Sequence, residues 1–106
     1  MEQNLSMIRG DTASLGLELI DFDQDLDAVY FSCKKDYNTE EYVFQKSLGD
    51  GVEKLETGKY TIRIAPEDTE NVSAGQYYYD LEISANSDVF TVLIGVLNIQ
   101  NDVTRR

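Results

Sequence analysis

Histidine and tryptophan are absent from this 106-residue sequence, and cysteine and proline occur once each. Without histidine, Cys/His zinc sites and Ser-His or Cys-His nucleophile pairs cannot be built within one chain, so most familiar hydrolase chemistry is excluded. A lone Cys33 has no internal disulfide partner. Basic side chains are scarce as well: 9 Lys and Arg stand against 20 Asp and Glu, a net charge of −11. That charge repels phosphate backbones and anionic bilayers, and no local basic patch offsets it, so neither nucleic acid nor membrane is expected as a partner. Long aliphatic runs are missing too. Val92-Leu93-Ile94 is ended by Gly95, far short of the ~20 residues a spanning helix needs. The opening Met1-Glu2-Gln3-Asn4 lacks the basic start of a secretory signal, which leads us to expect a soluble protein made in a reducing cytoplasm.

Charge is unevenly spread, at −6 over residues 1–27, zero over 28–65 and −5 over 66–106. No linker, repeat or low-complexity block separates these thirds, so residues 1–106 are read as a single domain. Its dominant pattern is alternation with period two. Leu15, Leu17 and Leu19 alternate with Ser14, Gly16 and Glu18; Val29, Phe31 and Cys33 alternate with Tyr30, Ser32 and Lys34; Tyr60, Ile62 and Ile64 alternate with Thr61 and Arg63. The clearest run sets Tyr77, Tyr79, Leu81 and Ile83 against Gln76, Tyr78, Asp80 and Glu82. A one-residue slip there would drive Asp80 and Glu82 into the core, which pins the register. Turn signals separate the runs, at Gly49-Asp50-Gly51, Thr57-Gly58 and Ala85-Asn86-Ser87 among others. Together these features predict an all-β, two-sheet antiparallel sandwich of seven to eight strands.

One stretch breaks the alternation. Pro66 followed by Glu67 and Asp68, with Gly75 beyond, predicts a short helical turn near 66–73 that crosses from one sheet to the other. Tyr77, just after it, is placed to tie the corner through its hydroxyl. In the last strand, Val89 to Ile99, both parities are apolar. Either both faces are covered or the strand changes face; we favour a bulge at Gly95, with Val92 and Ile94 inward before it and Leu97 and Ile99 inward after it.

Asp21, Asp23, Asp25 and Asp27 place carboxylates at every second position, the opening pattern of a calcium loop, and are the candidate metal ligands. The pattern stops there: the sixth position is Leu26 where a calcium loop needs Gly, and the twelfth is Ser32 where it needs Glu. A solvated acidic loop is therefore the reading, with no metal or cofactor expected. Glycoside hydrolysis would need two carboxylic acids across a cleft, one in an apolar pocket, and no acid sits in such a context, so no enzyme is expected. Arg9-Gly10-Asp11 spells an adhesion tripeptide and Asn71-Val72-Ser73 a glycosylation pattern, and both read as ordinary turns. Cys33 has core parity. Seven tyrosines are a rich supply. Tyr30 and Tyr78 have outward parity, and Tyr37 and Tyr42 flank a polar loop, which makes a binding face plausible. Tyr30, Tyr78 and Leu93 are the interface candidates, Leu93 because its parity opposes that of Val92 and Ile94.

Several segments in order, Ile8-Arg9-Gly10-Asp11-Thr12, Ala65-Pro66-Glu67-Asp68-Thr69, Gly75 to Ile83, Thr91 to Gly95 and Asp102-Val103-Thr104, resemble small phage and prophage virion proteins. The nearest resemblance is to the immunoglobulin-like N-terminal domain of the phage baseplate upper protein family. It implies a structural assembly or adaptor role in a tail, baseplate or other virion part, synthesis in a bacterial host cytoplasm, and other virion proteins as partners, with homo-oligomers possible. The alternative is a surface binding module for glycan or host-cell protein.

Overall fold

The computed structural model describes residues 1–20 and 24–104. Among these residues eight strands and one helical turn follow one another: β1 (Leu5–Ile8), β2 (Ala13–Glu18), β3 (Ala28–Lys34), β4 (Phe44–Leu48), β5 (Gly51–Glu56), β6 (Lys59–Ile64), α1 (Pro66–Thr69), β7 (Gly75–Ala85) and β8 (Asp88–Gln100). The hydrogen-bonded order β1-β8-β7-β3-β4-β5-β6-β2 is continuous. It folds over on itself as a sandwich, with β1-β8-β7-β3-β4 in the front layer and β5-β6-β2 in the back. The short dimension of the molecule, 20 Å, is what two sheets about 10 Å apart require.

The joint between layers is the β4–β5 turn, where only Ser47↔Gly51 and Leu48↔Val52 are paired. Gly49 and Gly51 take φ of 84° and 95° there, values that residues with a Cβ reach only with strain. The short β4–β5 pairing is parallel, and so is β1 with β8, from Leu5↔Leu97 to Ile8↔Gln100, while the other strand pairs are antiparallel. To that extent the expectation of an antiparallel sandwich is corrected.

Alternating residues from both layers meet in one core: Val29, Phe31 and Cys33 of β3, Tyr77, Tyr79, Leu81 and Ile83 of β7, and Tyr60, Ile62 and Ile64 of β6. Phe31 is central, stacked between Phe44 and Tyr79 with ring centroids 6.0 and 5.3 Å away. Cys33 is fully buried, and burial pushes its thiol pKa up to about 12. The crossing between layers is the single turn α1. Its Asp68 accepts from the Ala65 amide at 2.7 Å and pairs with Lys46 of β4 at 2.7 Å, fastening the turn to the front sheet. Beyond it, the Tyr77 hydroxyl donates to the Ser73 carbonyl at 2.6 Å, the corner bond expected from the sequence.

Two sequence expectations for β8 are overturned. The bulge lies at Val92, skipped between the pairs Leu81↔Leu93 and Glu82↔Thr91, and not at Gly95. After it, Leu97 and Ile99 do face inward, but Leu93 shares their side while Ile94 faces out and is 43% exposed. Gly95 serves a different purpose. A Cβ there would come 2.0 Å from the Gln3 carbonyl oxygen, so the glycine lets the N-terminal segment lie against β8. Gln3 donates to the Ile94 carbonyl at 2.8 Å, and the Ile94 amide donates to the Met1 carbonyl at 2.9 Å.

Candidate functional site

With one side of β3 and β7 committed to the core, Tyr30, Ser32 and Lys34 of β3 and Tyr78, Asp80 and Glu82 of β7 must point outward from the front sheet. The register sets them in three rows. Glu82 lies beside Tyr30, Asp80 beside Ser32, and Tyr78 beside Lys34. On the flanks, β4 adds Gln45 next to Ser32, and β8 adds Ile94 next to Asp80. The loop between β3 and β4 brings in two more rings. Tyr37 packs on Tyr78 with centroids 4.5 Å apart, and Tyr42 lies under the Lys34 ammonium, 5.2 Å from its ring centre.

Because Ser32 and Asp80 are short and the tyrosines are long, the middle row sinks below the outer two. The result is an open concavity of about 530 Å³, with Tyr30 at one end and Tyr37, Tyr42 and Tyr78 at the other. Four residues along a strand separate the end rows, about 13 Å. In the floor, Gln45 donates to the Ser32 hydroxyl at 2.9 Å. Asp80 is half-buried, and burial raises its carboxyl pKa above the ordinary value while the nearby Lys34 pulls partly the other way. Among the described residues neither the Asp80 nor the Glu82 carboxylate takes part in a hydrogen bond or ion pair.

Of the sequence-predicted interface residues, Tyr30 and Tyr78 both line this concavity. Leu93 does not: it is half-buried on the core side of β8. Its place on the face is taken by Ile94, which a bulge at Gly95 would have turned inward. Among the candidate metal ligands, Asp21 and Asp23 lie outside the described residues. Asp25 pairs with Lys54, and Asp27 accepts from the Asn86 amide at 3.0 Å. Leu26 between them is buried, its amide donating to the Tyr60 hydroxyl. No group of three possible metal ligands converges among the described residues. The adhesion-like tripeptide is tied down as well, since Arg9 is buried against Asp102 at 2.9 Å and the Gly10 amide donates to Thr69 Oγ1 at 2.8 Å.

The front face also borders an open edge. β1 covers β8 from Leu97 to Gln100, and the Met1–Gln3 segment covers Ile94. From Asp88 to Leu93 no strand lies on that side among the described residues, and Val89 and Phe90 are 60% and 53% exposed.

Neither a family model nor a curated protein matches the sequence. Among solved structures, the extracellular domain of the voltage-gated sodium channel beta4 subunit is similar, with a TM-score of 0.50 over 96% of this chain and 93% of that one. The fold is immunoglobulin-like. At 13% identity the likeness bears on the immunoglobulin-like architecture alone, and the site has to be argued from its own residues.

Proposed function

We propose that this immunoglobulin-like chain is a non-catalytic docking module that binds another protein through the concave front face. The observation that carries the reading is the gathering of Tyr30, Tyr37, Tyr42 and Tyr78 around one concavity. Tyrosine on a rigid strand offers large contact area at low entropic cost, and such rings are enriched where proteins meet. Ile94 and the uncovered Asp88–Leu93 edge extend the surface beyond the rings. An exposed apolar edge is a template for pairing unless a partner shields it. The structurally similar sodium channel domain is described in parallel homodimers that explain a role in cell–cell adhesion, a contact role carried on the same architecture. For self-association of this chain, the net charge of −11 is an opposing term, which favours a different protein as partner. Assembly within a phage tail or baseplate is the setting implied by the sequence resemblance.

Co-expression with the proteins encoded on either side of its gene, followed by light scattering on the purified complex, tests this reading. A defined complex that Tyr30→Ala and Ile94→Lys weaken is expected. A complex indifferent to both substitutions would place the interface elsewhere.

A further inference from the structure

Resting on the docking reading, we infer that the concavity receives an arginine side chain of the partner protein. The floor is rich in acceptors and poor in donors. Asp80 and Glu82 project from one strand face, two residues and so about 7 Å apart, and neither carboxylate has a hydrogen bond or ion pair among the described residues. Among the described residues the one cation lining the concavity is Lys34, which leans over the Tyr42 ring. One negative charge is left over in a site that already sits on a strongly acidic protein. The Gln45 amide is turned to the Ser32 hydroxyl. A sugar offers donors and acceptors together, and would leave its acceptor oxygens facing carboxylates. A guanidinium has five donors and no acceptor, which matches this floor. Its planar face stacks on an aromatic ring while its edge forks onto a carboxylate, and the Tyr30 ring beside Glu82 offers both at once. An ammonium is a compact point charge with neither a planar face to stack nor a fork to pair with both carboxylate oxygens, so arginine is favoured over lysine.

Titration of the isotope-labelled chain with N-acetyl-arginine-amide, followed by amide shifts, tests the inference. Saturable shifts centred on Tyr30, Ser32, Asp80 and Glu82 are expected, with the uncharged citrulline analogue binding at least ten times more weakly. Asp80→Asn and Glu82→Gln, on an outward face, should each weaken arginine at least several-fold with the fold intact. Equal binding of citrulline, indifference to both substitutions, or saturation by methyl N-acetylglucosaminide in place of arginine would overturn the proposal. If arginine fails while Ile94→Lys still breaks the protein complex, the arginine slot falls and the docking reading stands. If arginine binds and the complex ignores the front face, the concavity is a guanidinium site but the docking reading falls, and with it the assignment of that arginine to the partner.

Discussion

Tyr79 stands opposite Gly95 in the β7–β8 register, and its hydroxyl reaches past that glycine to the Gln3 carbonyl. The pair closes the front sheet: a missing side chain on one strand makes room for the N-terminal segment, and a long one on the next strand holds it there. Gly95→Ala forces a Cβ within 2.0 Å of backbone, which no rotamer change can relieve. Such overpacking should cost ~2–3 kcal/mol, read as a lower midpoint in urea. Tyr79→Phe, which removes only the hydroxyl, should cost ~1 kcal/mol.

The corner bond from Tyr77 to Ser73 is a separate contribution. Tyr77→Phe keeps the buried ring and loses the hydroxyl, so a loss of ~1 kcal/mol is expected in the same assay. An unchanged midpoint would mean that solvent replaces the bond at no cost.

Cys33 should be inert in the native protein. Burial raises its thiol from 9.0 to about 12, and the reactive thiolate is correspondingly rare at neutral pH. A disulfide-exchange reagent at pH 8 should therefore label it only after unfolding. The same burial makes stability pH-dependent. Between about pH 9 and 12 the unfolded thiol has lost its proton and the folded one keeps it, so the folded state binds more protons and stability falls as pH rises. Cys33→Ala should flatten that decline in denaturant melts collected from pH 8 to 11; an equally steep decline would assign it to other groups.

Much of this architecture is legible in the amino-acid sequence. Alternation in β3, β6 and β7 works because each strand has one face on the core, and Tyr77 follows a Pro-started crossing. Three strands carry little signal. β1 has four residues, β5 buries only Val52, and β4 turns Lys46 toward the core side, where Asp68 neutralises it. In β8 the pattern misleads at Gly95, because a glycine in a strand signals either a bulge or a close neighbour. The neighbour, Gln3, is more than ninety residues away along the chain. For the site, outward parity identifies Tyr30 and Tyr78. Their gathering with Tyr37, Tyr42 and Ile94 depends on the register and on a loop path that no local pattern encodes.

The docking face itself is tested most directly by comparing two like substitutions on opposite sheets. Ile94→Lys alters the front face, and Leu55→Lys alters an exposed apolar residue of β5 on the back. Affinity for the partner found by co-expression is measured for both by calorimetry, with melting temperatures as the control on folding. The docking account predicts that Ile94→Lys weakens binding by at least ~30-fold, the scale of a central contact, while Leu55→Lys changes it by less than about threefold. Equal effects, or a larger one from Leu55→Lys, would contradict it.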